Sequence, residues 1–262
     1  MKTNPISDAE LLASYDEQLR INTEYPEARK EVTKDVVRFV REAPGMNFVS
    51  FTFARDQDLD RVIDEQLKYF LPMDQPFTWK VYEHDQRPVL EEKLVLRGFV
   101  FDNSDPGNVM VLDITEASPY LFQPVQPDIR QIHDREGLKD VVYILDKVYG
   151  TDNSWAYDRL GEHMTIPGYI SVYLAYVDDQ PAAVAWTYFP QGQFALLFAG
   201  STISEFRKTG LYSGLLAIRL QEIRERAYRF AVVEAGSMSR PIVAKHDFRH
   251  LTTMYDYEWK GK

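Results

Sequence analysis

The strongest chemical signal in the sequence comes from two cations and a glycine that follow a run of apolar residues. Arg207 and Lys208 lie shortly before Gly210 in the segment 194–216, FALLFAGSTISEFRKTGLYSGLL. The apolar run predicts a buried strand, and Gly210 predicts the start of a helix. The first backbone N–H groups of a helix have no acceptor within the helix and lie at the positive end of its dipole. The segment therefore predicts a site for an anion such as a phosphate.

Composition excludes several classes of protein. Of the 262 residues, 45% are hydrophobic and 27% are charged, which is typical of a globular protein. The net charge of −10 argues against a nucleic-acid partner or an acidic membrane, because no excess of cations is present to displace counterions. The absence of cysteine excludes disulfides, thiolate metal sites and a cysteine nucleophile. The polar amino-terminal residues and the lack of a long apolar run lead us to expect a cytoplasmic protein.

Hydrophobic periodicity and turn residues divide the chain into elements. Before residue 119 they predict helical structure over 7–42 with a break at Pro26, strands 47–53, 78–82 and 109–114, and helices 56–71 and 88–96. Prolines at 119, 124 and 127 predict a linker. After it we expect strands 129–133, 170–177, 182–189, 194–203, 230–235 and 251–259, and helices 136–149, 154–163, 210–228 and one from Ser239. The apolar stripe of helix 210–228 contains Leu216, Leu220, Ile223 and Ala227, which predicts that Arg219 faces away from the core.

The loop and the order of elements resemble those of one superfamily. The spacing Arg207-x-x-Gly210-x-Tyr212 resembles the R/Q-x-x-G-x-G/A pyrophosphate loop of the GNAT acyl-CoA-dependent N-acetyltransferases, although Tyr212 replaces a small residue. The order β-α-α-β-β-β-α-β-α-β over 129–262 is similar to the GNAT fold, and the block SMSRPIVAKHDF resembles its closing β-α-β element. The resemblance implies an α/β (α+β) fold, with a mixed, mostly antiparallel sheet flanked by helices.

A repeated Arg-Pro dipeptide predicts a second, partial copy of this fold. Arg87-Pro88 and Arg240-Pro241 both begin a predicted helix after a strand, and they lie 153 residues apart. We therefore predict a degenerate GNAT-like half at 1–118, a linker at 119–128 and an acyl-CoA-binding catalytic domain at 129–262.

The resemblance also implies where acetyl-CoA binds as a co-substrate. The strands holding 199–202 and 232–235 would separate, and the acyl-CoA would enter between them. Backbone groups of Thr202 and Ile203 would bond the pantetheine arm, and the N–H groups of 208–213 would hold the pyrophosphate. The predicted contacts are Thr202, Ile203, Arg207, Lys208, Thr209, Gly210, Leu211, Tyr212 and Ser213. Tyr212 either touches the cofactor or packs in the core.

The implied reaction is direct attack of a neutral primary amine on the thioester, with an oxyanion held by a strand N–H near Thr202. Glu234 is the candidate base, or else an ordinary strand carboxylate in water or an ion pair. The tyrosine that many family members use as the acid is missing, because its position holds Val243. Ser237 and Ser239 are the alternatives, either as proton donors or as helix caps.

The sequence is less specific about the residues that bind the amine acceptor and about a metal site. We predict that Asp152, Asn153, Trp155 and Tyr157 form the wall that selects the acceptor, and the same residues also suit a helix cap packed on the core. No metal site is predicted, because His246 and His250 have no evident third ligand.

The sequence thus predicts an N-acetyltransferase that acts on a small-molecule or protein amine, without nucleic-acid or membrane partners. The alternative is a GNAT-fold module without catalysis that binds acyl-CoA or a partner, and Val243 and Tyr212 favour it. Arg207 and Gly210 favour the enzyme. Use of charged tRNA would need a basic groove, which the net charge disfavours.

Overall fold

The computed structural model describes residues 6–41, 47–73, 75–101 and 105–260, which form two compact units. The first unit contains Met1–Met110, Ala235–Pro241 and His250–Lys262, and the second contains Val111–Glu234 and Ile242–Arg249. The last strand of the chain thus belongs to the first unit. The boundaries proposed from the sequence, 1–118, 119–128 and 129–262, stay a prediction.

The described elements before the proline-rich segment are as follows. They are helix α1 (Asp8–Tyr15), a π-helical segment (Asp16–Ile21), strands β1 (Arg29–Val32), β2 (Val36–Val40) and β3 (Asn47–Thr52), helix α2 (Leu59–Phe70), strand β4 (Phe77–Tyr82), helix α3 (Pro88–Leu96), and strands β5 (Val100–Phe101) and β6 (Gly107–Asp113).

After that segment the elements follow the predicted order. They are strand β7 (Asp128–Ile132), helices α4 (Leu138–Tyr149) and α5 (Trp155–His163), strands β8 (Ile170–Val177), β9 (Gln180–Tyr188) and β10 (Phe194–Thr202), helix α6 (Leu211–Glu225), strand β11 (Phe230–Ala235), helix α7 (Arg240–Ala244) and strand β12 (Arg249–Trp259). Among the described helices, none has the length and apolar character needed to cross a membrane.

In each unit, the structure describes a parallel pair of strands joined by a helix. In the first unit, β3 and β4 pair over three residues starting at Asn47↔Phe77, and α2 connects them. In the second, β10 and β11 pair over three residues starting at Phe194↔Phe230, and α6 connects them. The strand order is β1-β2-β3-β4-β12 in one unit and β11-β10-β9-β8-β7 in the other, and the other pairs within these runs are antiparallel. The predicted mixed, mostly antiparallel sheet flanked by helices is confirmed.

In the second unit, helices cover both faces of the sheet. Helices α4 and α5 pack on one set of alternate strand residues, which includes Val172, Leu174, Val184 and Trp186. Leu211 and Leu215 of α6 pack on the intervening residues Tyr173, Ala175, Ala183 and Ala185. Because successive side chains of a strand point to opposite faces, the sheet has an α4/α5 face and an α6 face.

The prediction of helical structure over 7–42 is wrong after the π-helical segment, and residue 42 lies outside the described part of the chain. Ser7 begins α1 through a capping box with Glu10, as the sequence indicates. Strands β1 and β2 follow where the helix was expected to resume. Four of the five residues of β2 are buried, including Val36 and Val40. A strand buried on both faces has a continuous apolar run, which also fits a helical stripe.

Candidate functional site

Strands β10 and β11 separate partway along their length. Their paired residues end at Leu196 and Val232, although β10 continues to Thr202 and β11 continues beyond Val232. We call the opening after this last pair the β10–β11 wedge. The edge of β10 that faces it has no paired residue on β11 from 197 onward, so its backbone groups can bond an extended ligand as an added strand would.

A bulge distorts β10 within the wedge. Ala199 and Gly200 lie between the paired residues Phe198 and Ser201, where the facing strand β9 has a single residue. Ala199 adopts a φ of +49°, in the left-handed region that costs a residue with a Cβ free energy. Bulges interrupt the hydrogen-bond ladder and redirect backbone groups. The structure therefore places the bulge at 199–200, just before the position near Thr202 that was predicted for the oxyanion donor.

The loop after β10 is held by its own side chains. Arg207 Nε donates to the carbonyl oxygen of Thr202 at 3.1 Å. Thr209 Oγ1 donates to the carbonyl oxygen of Phe206 at 2.6 Å. The N–H group of Ile203 donates to Ala182 O at 3.0 Å, on the β9 side of the strand and away from the wedge. Of the two predicted pantetheine contacts, Ile203 therefore uses its N–H in the sheet.

Six consecutive N–H groups at the start of α6 lack an acceptor. Within the described parts of the chain, no residue accepts a hydrogen bond from the backbone N–H of any residue in 208–213, and the first helical bond runs from Gly214 N to Gly210 O at 2.9 Å. Lys208 and Gly210 adopt φ values of +67° and +89°, which turn the chain sharply into the helix. The first turn of α6 contains no acidic residue. The arrangement suits an anion, since both the N–H groups and the helix dipole favour negative charge.

Tyr212, which replaces a small residue of the family pattern, packs against the bulge. A Cβ atom built on Gly200 would lie 2.7 Å from the Tyr212 ring, so the missing side chain at 200 makes room for it. Burial raises the pKa of Tyr212. Leu211 is buried in the α6 core. Beside them, Thr202 Oγ1 is buried and has no hydrogen-bond partner among the described residues.

Ser213 belongs to a chain of three polar groups that sequence analysis missed. Its Oγ lies 3.2 Å from His246 Nε2, and His246 Nδ1 lies 2.9 Å from the hydroxyl of Tyr120. Burial lowers the pKa of His246, so the imidazole is neutral at pH 7. From the sequence, His246 was considered only as a metal ligand and no metal site was predicted, whereas its partners in the structure are hydroxyl groups far away in sequence.

Glu234 and Phe198 lie on opposite sides of the wedge and on the same face. Each is two residues beyond the last paired residue of its strand, so their side chains share a face. Phe198 pairs with Trp186, which packs with α4 and α5, so this is the α4/α5 face. Glu234 is exposed and has no ion-pair or hydrogen-bond partner among the described residues. Its carboxylate is therefore available to a ligand on that face.

The two serine candidates lie in the first unit, where Ser239 takes part in a local turn and Ser237 bonds a residue distant in sequence. Ser237 N donates to Asp105 Oδ1 at 2.7 Å, and Ser239 Oγ donates to Gly236 O at 3.4 Å. Val243, at the position of the family tyrosine, is 1% exposed and fills core space.

The four predicted acceptor residues surround the start of α5. Asp152 accepts a hydrogen bond from Ser154 N at 2.9 Å, which lowers the pKa of its carboxyl group. Asn153 donates to Asp146 through its backbone and side chain. Tyr157 packs on the α4/α5 core. Trp155 is 40% exposed and carries the Arg159 guanidinium 5.0 Å from its ring. These contacts serve the local fold, and of the two aromatic residues Trp155 is the exposed one.

In the first unit, helix α2 connects the parallel pair β3 and β4, as α6 connects β10 and β11 in the second. The start of α2 is acidic. Asp56 and Asp58 precede α2, and Asp60 lies in its first turn. Arg87 Nη2 donates to the carbonyl oxygen of Ala54 at 2.6 Å and to Asp56 at 3.2 Å. The carboxylates occupy the place where α6 presents free N–H groups, and they would repel a phosphate.

A buried arginine fills the opening between β3 and β4. Arg20 is 2% exposed and forms ion pairs of 2.7 Å with both Asp16 and Asp85. Its guanidinium stacks over the rings of Phe51 and Tyr82 at 4.7 and 3.9 Å, beyond the last parallel residue pair of these strands. His84 lies close enough to the two carboxylates for the three side chains to be possible ligands of one metal ion. Because both carboxylates already pair with the Arg20 guanidinium, we interpret these residues as a buried ion-pair cluster and not as a metal site.

No family model and no curated protein matches the sequence. Solved structures with a similar fold include a GCN5-related N-acetyltransferase from Kribbella flavida, with a TM-score of 0.69 and 12% identity over 97% of this chain and 95% of that one. A functionally unknown conserved protein from Staphylococcus epidermidis ATCC 12228 aligns with a TM-score of 0.67 and 15% identity, covering 91% and 96% of the two chains. A tandem GNAT protein from the clavulanic acid biosynthesis pathway has a TM-score of 0.64 and 14% identity over 98% and 89%. The chain thus has the GNAT fold, with two GNAT-like halves, as its resemblance predicted.

Proposed function

We propose that the chain is an acyl-CoA-dependent N-acyltransferase that transfers an acetyl or longer acyl group to a primary amine. The observation that carries the proposal is the row of six N–H groups at 208–213, next to the β10–β11 wedge, for which the described residues provide no acceptor. Arg207 and Lys208 add positive charge to the same loop. A diphosphate is an acceptor-only, doubly charged group, so it matches both properties of the loop. The GNAT fold of the similar structures supports an acyl-CoA as the source of that diphosphate.

In the proposed reaction, the pantetheine arm, the thioester and the amine each contact a different part of the wedge. The pantetheine arm bonds the free edge of β10, and the thioester carbonyl lies at the 199–200 bulge, whose backbone stabilises the oxyanion. Glu234 accepts a proton from the attacking amine. A C–N bond forms, the C–S bond breaks, and the thiolate leaves and takes up a proton. Trp155 and its neighbours in the predicted acceptor wall would guide a small-molecule or protein amine.

The second candidate function is acyl-CoA binding without transfer. Val243 favours it, because its buried aliphatic side chain cannot protonate a thiolate. Both candidates require acyl-CoA in the wedge, so binding is the first property to test.

The test is the thermal unfolding midpoint with acetyl-CoA or free CoA, for the wild type and Arg207→Glu. Ligand at about 100 times its dissociation constant stabilises a protein by about 2.7 kcal/mol, a shift of a few degrees at this size. We expect this shift in the wild type and its loss in Arg207→Glu. Lys147→Glu, on the exposed side of α4, makes the same change in net charge and should keep the shift. No shift with either ligand at millimolar concentration would refute both candidate functions.

Transfer is then separated from binding with Glu234→Gln and a panel of primary amines. The amide cannot accept the amine proton, so kcat should fall about 100-fold while the acetyl-CoA affinity stays unchanged. Acetyl-CoA binding by the wild type with no product from any amine would favour the module without catalysis.

A further inference from the structure

Arg219 is a buried cation that the proposed reaction does not use. The sequence predicted that it faces away from the core, but it is 2% exposed, on the side of α6 that faces the sheet. Its Nε donates to Leu215 O at 2.9 Å, and its Nη1 donates to Phe198 O and Trp186 O at 3.3 and 3.4 Å. Phe198 and Trp186 are paired residues of β10 and β9 next to the bulge, so the guanidinium lies against the α6 face of the sheet beside the bulge.

No carboxylate neutralises this guanidinium among the described residues. Glu222, one turn further along α6, is already bound by Arg226 at 2.7 Å and by the hydroxyls of Ser171 and Tyr173. The Nη2 group of Arg219 donates no hydrogen bond to the described residues. Burial lowers the pKa of Arg219 to about 10, so it remains charged at neutral pH. A buried, unpaired charge is costly, whereas a carboxylate that pairs with it through two hydrogen bonds is bound strongly.

We propose that Arg219 binds a carboxylate at the far end of the acyl chain, so that the preferred donor is the CoA thioester of a dicarboxylic acid. This proposal rests on the proposed function, because it places the donor's thioester at the bulge. Tyr212 lines the same space: its ring lies against Gly200, and its hydroxyl has no hydrogen-bond partner among the described residues. Among the described residues, Arg219 Nη2 and the Tyr212 hydroxyl are thus two donors without acceptors on the α6 side of the bulge.

The position of Arg219 favours the acyl donor over the amine as the source of the carboxylate. Helix α6 covers the α6 face of the sheet, and Arg219 reaches the strands from that face. Glu234 and Phe198 lie on the α4/α5 face, where the amine would approach the base. A carboxylate on the amine would therefore be separated from Arg219 by the sheet itself, whereas an acyl chain at the bulge passes between the strands.

The experiment compares succinyl-CoA with butyryl-CoA, which have acyl chains of equal length that end in a carboxylate and a methyl group. We expect the wild type to bind succinyl-CoA at least about tenfold more tightly in a calorimetric titration. In Arg219→Met this preference should disappear or reverse, while acetyl-CoA still binds. Arg224→Met removes a cation from the same helix, where it stacks over Phe122, and should leave the preference unchanged.

The unfolding midpoint without ligand distinguishes this role from a structural one. If Arg219 only supported the bulge, Arg219→Met would lower that midpoint and weaken all three thioesters alike, which would overturn the proposal. Tyr212→Phe, which removes one hydroxyl, should reduce the preference severalfold and serves as the test if Arg219→Met does not fold. Equal binding of succinyl-CoA and butyryl-CoA by the wild type would refute the inference and leave the proposed function intact. Failure of all three thioesters to bind would refute the proposed function, and the inference with it.

Discussion

Gly210 is the residue that sets the direction of the free N–H groups at the start of α6. Its φ of +89° lies in a region that residues with a Cβ avoid, and a Cβ there would meet no atom within 4 Å. The cost of Gly210→Ala is therefore confined to the backbone, about 1 kcal/mol of unfolding free energy. We also expect weaker acetyl-CoA binding, because relaxation of φ turns the N–H groups. Urea denaturation and an acetyl-CoA titration measure the two effects.

Gly98 provides a matched control for that variant. It has a φ of +88°, it also has open space around its Cβ position, and it lies in the first unit. Gly98→Ala should therefore lower stability as much as Gly210→Ala does, with no change in acetyl-CoA affinity. Equal losses of affinity in the two variants would show that Gly210 acts only through general stability.

His246 should make stability depend on pH in a defined direction. Burial lowers the pKa of His246 below its ordinary value near 6.5, so the folded state binds fewer protons than the unfolded state. Its contribution is present above about pH 6.5 and is lost as the pH falls through the lowered value. The protonated ring also cannot accept a hydrogen bond from either Tyr120 or Ser213. We expect the urea midpoint to fall between pH 7 and pH 5.5.

His246→Gln separates this effect from the titration of other groups. Glutamine keeps a donor and an acceptor but does not titrate, so the variant should lose less stability over that pH interval. An identical pH profile in the two proteins would mean that the imidazole does not resist protonation in the folded state.

At the scale of elements, the pairing of β3 and β4 is stabilised by the buried Arg20 cluster. Removing one partner of a buried ion pair leaves uncompensated charge, so Arg20→Ala should cost about 3–5 kcal/mol of unfolding free energy.

Burial raises the pKa of Asp16, but the His84 hydrogen bond and the Arg20 charge outweigh it and lower the pKa overall. The contribution of Asp16 is thus fully present above its unfolded pKa near 3.9, declines below it and is lost as the pH falls through the lowered folded pKa. Chemical denaturation at pH 7 and pH 3.5 measures both predictions.

Arg61 on α2 is the control for the Arg20 variant. Its side chain is 40% exposed, and it forms ion pairs with Asp35 and Glu65 in the same unit. Exposed pairs contribute little, so Arg61→Ala should cost less than about 1 kcal/mol. Similar costs at the two arginines would mean that burial does not set the strength of the Arg20 cluster.

The elements and the loop could be predicted from the sequence because their signals are local. A glycine after an apolar run marks α6, and proline after arginine marks the start of α3 and α7. The internal contacts were not predictable, since Arg20 and Asp85 are 65 residues apart and meet only in the folded chain. Arg219 was assigned to the wrong side of α6, because a charged residue beside an apolar stripe normally lies in water. The strand β2 was missed because its buried run also fits helical spacing.

At the scale of the whole molecule, the two GNAT-like halves differ in the groups that an acyl-CoA needs. The α6 junction of the second unit has free N–H groups with Arg207 and Lys208 beside them. The α2 junction of the first unit has three aspartates, and Arg20 fills the opening between its parallel strands. The halves therefore share a fold, but within the described residues they carry opposite charge at these two helix starts.

This difference predicts that each chain binds a single acetyl-CoA. Calorimetric titration of the wild type should give one site, and Arg207→Glu should abolish the signal completely. Asp58→Asn in the first unit removes one repelling carboxylate but leaves Asp56, Asp60 and Arg20, so it should not create a second site. A stoichiometry near two, or a residual site in Arg207→Glu, would show that the first unit also binds the ligand. Repulsion between the aspartates at the start of α2 and the diphosphate would then be too weak to prevent acetyl-CoA binding in the first unit.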